Sequence, residues 1–276
     1  MADILIKKEN GELEVFDAEK LRQSLLRSNT SIISADSIIK EIEENLKPET
    51  STHEIYYKAF NLLKKSEKAS ALRYSIRRSL MDLGPSGFPF EKFIEKVWQK
   101  KGYQTAVGVT LDGNCVSHEI DVIALSPKNE LFLTEIKFHN ELYLKSDTKI
   151  ALYIKARFDD LKNIKFALFG KKLKPTRMLL VTNTKFTNNA IKYAECSGLD
   201  LISWDYPQKG NLHSLVYETD TYPISILESL SSGEKINLIS EGIITCDDLI
   251  ASRQLQQFSP EIVSEIKAEV EIINAK

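Results

Sequence analysis

Cysteine is scarce in this 276-residue chain. There are three, Cys115, Cys196 and Cys246, far apart and without a CxxC pair. An odd, scattered set excludes a disulfide framework and offers no zinc-ligand spacing, which fits a reducing cytoplasm. Long apolar runs are also missing. No segment reaches the ~18 apolar residues needed to span a bilayer, and the opening MADILIKKENGELEVF lacks the apolar core of a signal peptide. No membrane partner is expected, and the expected location is the cytoplasm. Nor is there an excess of one charge. The formal net charge is −2, so no global field draws the chain to nucleic acid, and any DNA-binding surface must be local. What is present is ordinary for a soluble globular protein: 42% hydrophobic residues, 28% charged, and length for two domains or three small ones.

The stretch richest in chemistry lies between His118 and His139. EIDVIAL and ELFLTEIKF read as two short apolar strands joined by a Ser-Pro-Lys-Asn turn. Residues two apart on a strand share a face, so Glu135 and Lys137 project together while Ile136 points away. With Asp121 on the first strand, two carboxylates and an ammonium converge at the end of a hairpin. Such a set can hold a divalent metal and steer a water, the chemistry of a metal-dependent phosphodiesterase. Taken alone, the same three residues more often form an ordinary salt-bridged edge hairpin, and their surroundings must decide.

Upstream, ILIKKENGELEVF reads as a hairpin turning at Asn10-Gly11, both tolerant of positive φ. A helix follows with Asp17 as N-cap and Leu21, Leu25 and Leu26 on one face. SADSIIKEIEENL presents Ile38, Ile39, Ile42 and Leu46 and ends at Pro48. STHEIYYKAFNLLKK turns Ile55, Ala59, Leu62 and Leu63 inward, and SALRYSIRRSLMDLG ends at Gly84 before Pro85. The spaced elements Lys7-Lys8-x-x-Gly11, Phe16-Asp17-x-x-Lys20, Thr52-x-x-Ile55 and Leu72-Arg73-Tyr74 resemble the ATP-cone, a nucleotide-sensing regulatory domain of ribonucleotide reductases. The resemblance implies ATP or dATP binding. Lys7, Lys8 and Lys20 would meet the phosphates and Thr52 the region of the base, with Arg73 and Arg77 as further phosphate candidates. Many cones carry Lys-Arg-Asp-Gly where this chain has Lys8-Glu9-Asn10-Gly11, which removes a bidentate guanidinium.

LGPSGFP suits a hinge. Beyond it the pattern runs helix (FEKFIEKVWQKKG), strand-rich YQTAVGVTL, the two strands above, helix (DTKIALYIKARFDDLKNI), apolar strand TRMLLVTN, helix (FTNNAIKYAECSG) and strand LDLISW. Phe90-Glu91, Gly102-Tyr103, Ile120-Asp121-Val122-Ile123, Glu135-Ile136-Lys137 and the distal Leu180-Val181-Thr182-Asn183, Phe186-Thr187, Ala190, Ala194 and Gly198-Leu199-x-Leu201-Ile202 are similar to the PD-(D/E)xK nucleases, more narrowly to Mrr-like type IV restriction endonucleases. That resemblance implies Mg²⁺ held by Asp121, Glu135 and the Ile136 carbonyl. Lys137 would position and help deprotonate the attacking water, and Glu91 would act as an outer ligand or water anchor. His118 and His139 flank these strands, where a lone histidine is more often a structural hydrogen-bonder. Glu119 is read as structural, on neither side shared with Asp121.

Lys149, Tyr153 and Arg157, four apart, share a helix face that could meet DNA phosphates, close over the site, or simply be solvated. Lys165, Lys171, Lys172, Lys174 and Arg177 form the most basic local run, a candidate for duplex backbone contact or a solvated loop. In the tail, LISEGIITCDDLI with Thr245 as cap resembles helix-hairpin-helix modules, but Glu241, Asp247 and Asp248 suit packing better than phosphate. SPEIVSEIKAEVEII closes the chain as a helix capped by Ser259 with Pro260 first.

The expected fold is multidomain, α+β and α/β. It comprises an ATP-cone of one β-hairpin plus four helices at 1–84, a linker at 85–89, and a restriction-endonuclease-like mixed sheet flanked by helices at 90–206. A connector at 207–222 and a small α-helical, helix-hairpin-helix-like module at 223–276 complete it. The expected function is a Mg²⁺-dependent DNA endonuclease regulated by ATP or dATP, with a role in defence against foreign DNA implied by resemblance alone. The competing expectation is an inactive nucleotide-sensing DNA-binding regulator, and RNA is the weaker alternative substrate. One site per chain and two strands to cut make a homo-oligomer the expected state.

Overall fold

The structure, a computed structural model, describes residues 4–275. These fall into two compact units. The first takes in the described residues up to Ser79, Ile226–Leu230, and the described residues from Gln256 onward; the second is Leu80–Ser225 with Ser231–Leu255. The stretch 223–276, expected as one module, is thus shared between the units. Among the described residues no helix is long and apolar enough to cross a membrane.

The first unit opens with the hairpin β1 (Leu5–Lys7) and β2 (Leu13–Val15), registered Ile6 to Glu14. Its turn takes the left-handed conformation at Gly11 (φ +85°), while Asn10 contributes through its side chain, which accepts from the Glu12 N–H at 3.2 Å. Helices α1 (Ala18–Arg27), α2 (Ile32–Glu44), α3 (Thr52–Ser66) and α4 (Lys68–Met81) follow. Each of the first three starts where a short polar side chain meets an orphan N–H: Asp17 caps α1, Ser31 caps α2, and Ser51 with Glu54 forms a reciprocal capping box on α3. Their apolar stripes, including Leu21, Leu25, Ile38, Ile39, Ile42, Ile55, Ala59 and Leu63, converge with Ile6 in one core. The chain's last helix in this unit, running from Pro260 to Asn274 and capped by Ser259, buries Glu269. That carboxylate accepts from the N–H groups of Glu228 (2.9 Å) and Ser229 (3.3 Å), so its burial is compensated.

The second unit is a mixed α/β arrangement. After α5 (Phe88–Lys100) come β3 (Gln104–Asp112), β4 (Ser117–Leu125), β5 (Leu131–Lys137), β6 (Lys145–Ser146), α6 (Thr148–Leu161), β7 (Phe166–Leu168), β8 (Lys171–Leu173), β9 (Pro175–Thr182), β10 (Lys185–Phe186), α7 (Asn188–Ser197), β11 (Asp200–Ile202), α8 (Leu212–Thr219), α9 (Ser232–Ser240) and α10 (Cys246–Ala251); the Pro260–Asn274 helix is α11. Among the described residues the main sheet has five strands in the order β11-β9-β5-β4-β3. β3, β4 and β5 are antiparallel neighbours, while β5, β9 and β11 run parallel, joined by the α6 and α7 crossovers. Leu131, Leu133, Ile123, Leu125, Met178 and Leu180 pack beneath Ala151, Ile154 and Leu161 of α6 and Ala190 and Ala194 of α7.

Two expectations about local structure give way. The basic run at 165–174 is not a loop but the hairpin β7–β8, paired Leu168 to Lys171 through a two-residue turn with both Phe169 (φ +53°) and Gly170 (φ +72°) left-handed. Asn-Gly is the usual signal for such a turn, so Phe-Gly gave no warning. The connector 207–222 holds α8, capped by Asn211 accepting from the Ser214 N–H at 2.8 Å; its single buried turn, Leu212, Leu215 and Val216, is too short to show a period. In the tail, Thr245 and Asp248 form a capping box on α10. The acidic pair there is spent on α5: Asp248 meets Lys96 at 2.7 Å and Asp247 meets Lys100 at 2.5 Å.

Candidate active site

The site is made where β4 and β5 part. Their ladder runs from Leu125–Leu131 to Val122–Thr134 and stops. One step further the register places Asp121 opposite Glu135. Directly opposed residues of an antiparallel pair share a face. In place of the missing backbone bond, the Asp121 carboxylate takes the Ile136 N–H, at 2.6 Å. Beyond this point β4 continues only with β3, to Ser117. The fork is therefore held open by one of the two candidate carboxylates. β5 meanwhile stays paired with β9 through Glu135–Leu180 and Lys137–Thr182, which keeps its end straight.

Alternation along β5 puts Glu135 and Lys137 on the face of Leu131 and Leu133, the face covered by α6. Glu135 is half-buried and Lys137 exposed. Burial, then the neighbouring Asp121 charge, pushes the Glu135 carboxyl up to about 7. Burial also raises Asp121, against the Ile136 hydrogen bond and Arg157, which lower it. Glu91, near the start of α5, is raised by burial and then by Asp121 and Glu119. Glu91, Asp121 and Glu135 thus act on one another at the fork, and Lys137 lies two residues beyond Glu135 on the same face of β5. Glu119 corrects the expectation made for it. Two residues from Asp121 on one strand, it lies on the same side, and its charge bears on both Asp121 and Glu91.

The group that faces these acids comes from the α6 face for which closing over the site was one of the expectations. Arg157 of α6 donates from one terminal nitrogen to Glu135 Oε2 at 2.5 Å and from the other to the Glu119 carbonyl. The shared helix face of Lys149, Tyr153 and Arg157 is split by depth: Tyr153 is 62% exposed, whereas the Arg157 side chain is 8% exposed. Asp160, one turn after Arg157 on the same helix, accepts from His118 Nε2 at 2.8 Å and from the Cys115 and Val116 N–H groups, and so ties down the β3–β4 turn. That bond to His118 holds Asp160 down at about 2. His139 bonds Ser146 at 3.0 Å, and the Asn183 side chain bridges its backbone. Both histidines are engaged structurally. The basic hairpin β7–β8 leads into the start of β9 beside Leu131, at the opposite end of β5 from Glu135, so its lysines are not brought to the fork.

Within the first unit, Lys8 and Lys20 share Glu14, at 3.2 and 3.8 Å. The Lys7 backbone lies against Thr50 and Ser51, at the start of the helix that carries Thr52. Arg73 departs from the phosphate role expected for it. It is buried and donates to the carbonyls of Ile273 (3.1 Å) and Ala275, capping the end of α11. A partner 200 residues away leaves no trace in local sequence.

Among the described residues no three His, Cys, Asp or Glu side chains form a ready-made metal cluster. Two opposed carboxylates and a backbone carbonyl are nevertheless the hard-oxygen set that suits Mg²⁺, which takes one or two carboxylates and keeps several waters. Burial first, and then the charge of neighbouring carboxylates, raises all three carboxyls, and a bound cation would offset the second of these. The donor set fits.

Residues 222–271 match the family described as AF1548-like, C-terminal. An uncharacterized protein of Archaeoglobus fulgidus is 34% identical over 157 residues, covering 57% of this chain and 83% of its own length. The crystal structure of AF1548, a protein of unknown function, superposes with a TM-score of 0.54 at 30% identity, covering 67% of this chain and 99% of that one. Looser likenesses extend to a repair endonuclease from Pyrococcus abyssi (TM-score 0.25, 21% identity, 36% of this chain and 37% of that one) and to the MspJI restriction endonuclease (TM-score 0.31, 12% identity, 74% and 48%). At those scores the likeness carries no function across. With the Archaeoglobus relative covered over most of its length at this identity, the chain belongs to the AF1548-like family.

Proposed function

We propose that this protein is a divalent-metal-dependent DNA endonuclease, with Asp121, Glu135 and Lys137 as its hydrolytic centre. The observation that carries the reading is the fork itself: two carboxylates opposed across β4 and β5, with an exposed lysine two residues on along the same face. Mg²⁺ held by Asp121, Glu135 and the Ile136 carbonyl would supply Lewis acidity toward a phosphate oxygen. Lys137 orients the attacking water and offsets charge gathering on the phosphate. Glu91 anchors water at the rim. With one centre per chain, a pair of copies would cut the two strands together.

The competing reading, a non-catalytic DNA-binding regulator, has one observation in its favour: Glu135 is already engaged by Arg157. Supercoiled plasmid separates the two. Nicking or linearisation is expected with Mg²⁺ and none with EDTA; a pure, folded protein that binds the plasmid but leaves it intact across Mg²⁺ and Mn²⁺ would favour the regulator.

We further propose that the first unit binds ATP or dATP through Lys7, Lys8, Lys20 and Thr52 and so regulates the enzyme. The shared approach of Lys8 and Lys20 to Glu14 supports a common cationic spot that a phosphate chain can take over. Titration of the full-length protein with a fluorescent ATP analogue is expected to saturate. The Lys8→Ala, Lys20→Ala double variant should bind about tenfold or more weakly. Equal binding by both proteins would remove this assignment.

A further inference from the structure

We propose that Arg157 is the resident counter-ion of the acidic fork, and that a divalent cation must displace it from Glu135 to bind there. The inference rests on the metal-centre reading above and adds a second occupant to it. Four carboxylates, Glu91, Glu119, Asp121 and Glu135, act on one another at this end of the sheet. Arg157 is the deeply buried cation among them, with its side chain 8% exposed. Glu119 is exposed, but Glu91, Asp121 and Glu135 are partly buried, and positive charge from α6 offsets the cost of their burial.

Arg157 is poorly satisfied for a buried guanidinium. One terminal nitrogen reaches Glu135 and the other the Glu119 carbonyl, yet its buried Nε has no hydrogen-bond partner among the described residues. A desolvated donor without an acceptor marks an arrangement that can be exchanged for a better one. The exchange has somewhere to go. The guanidinium already lies 5.5 Å from the ring of Tyr153, on the exposed side of α6, so releasing Glu135 leaves it a cation–π neighbour. A metal ion and a guanidinium on the same carboxylate repel each other, so each weakens the other's hold on Glu135. By reciprocity, removing the arginine strengthens the metal's hold.

Calorimetric titration of metal-stripped, full-length protein with Mn²⁺ tests this. Arg157→Gln is expected to bind about tenfold tighter than the native protein, a scale typical of coupling between two occupants of one site. Equal or weaker binding by Arg157→Gln would overturn the proposal. Glu135→Gln distinguishes the underlying reading: if Mn²⁺ affinity ignores that change, there is no metal centre at the fork and both claims fall. If Glu135→Gln loses binding while Arg157→Gln gains none, only the arginine claim falls. Should Arg157→Gln fail to fold, the native protein carries the test through the ¹⁵Nε–H signal of Arg157. That signal is expected to move on Mg²⁺ saturation, and an unmoved signal at saturating metal would overturn the displacement.

Discussion

Lys137→Ala is expected to lower the kcat of Mg²⁺-supported DNA cleavage by about a hundred- to ten-thousandfold, the range for loss of a group that positions and deprotonates a nucleophile. The residue suits the test because little else depends on it. It is exposed, makes no ion pair among the described residues, and its strand is held by backbone pairing to β9. Stability should therefore change by no more than about 0.5 kcal/mol, and DNA affinity should stay near native. A fall in kcat at constant KM would place the lost interaction in the transition state rather than the ground state. Arginine should not rescue, because a guanidinium cannot release a proton near neutral pH. A Lys137→Ala enzyme within threefold of native would end the assignment. Asp121→Asn is the less direct probe. Its carboxylate also accepts the Ile136 N–H, so charge and fork geometry change together unless the amide oxygen takes over that bond.

The second large effect is on stability. Metal-stripped protein is expected to be more stable at pH 5 than at pH 8, with the difference centred on Glu135. Folding raises this carboxyl from its ordinary value of 4.5 to about 7. Between those values the folded state holds a proton that the unfolded state has lost, so stability falls as pH rises through the window. About 1.4 kcal/mol per pH unit makes this about 3 kcal/mol, or roughly 6–12 °C in Tm for a unit of this size. Asp121 and Glu91 are raised as well and act in the same direction. His139 is lowered by burial and then by Lys137, so it gives a rise up to pH 6.5 that opposes them. Subtracting the Glu135→Gln profile removes the histidine and leaves the fork. Equal slopes in native and variant protein would show that Glu135 is not the group responsible. Saturating Mg²⁺ should flatten the native profile. The fold tolerates the cost because burying Ile120, Ile123 and Leu133 completely, at about 1.5–3 kcal/mol each, outweighs it.

Much of the architecture was legible because it is local. Asp17, Thr245 and Ser259 sit at helix starts as their spacing required, each accepting from an N–H three residues on. The main strands and crossover helices of the second unit were also visible, since each is long enough to show its own period. What escaped was short or chemically unusual: the two-turn helix α8, and the Phe169-Gly170 turn that converts a basic loop into β7–β8. Glu119 was misread for another reason. Strand alternation places it with Asp121, two residues along, and on the face opposite Ile120.

The candidate site divides along the same line. That Glu135 and Lys137 share a face, and that Asp121 lies one strand away, followed from the period of a strand and the length of a turn. Those relations are set by bond geometry over a few residues, so the sequence by itself determined them. Which charge answers which was decided only by tertiary structure. Arg157 meets Glu135 across 22 residues, Asp160 meets His118 across 42, and Arg73 meets the end of α11 across 200. Electrostatic attraction and the cost of burial depend on separation in space and on depth from water, and neither is written in the order of residues along the chain.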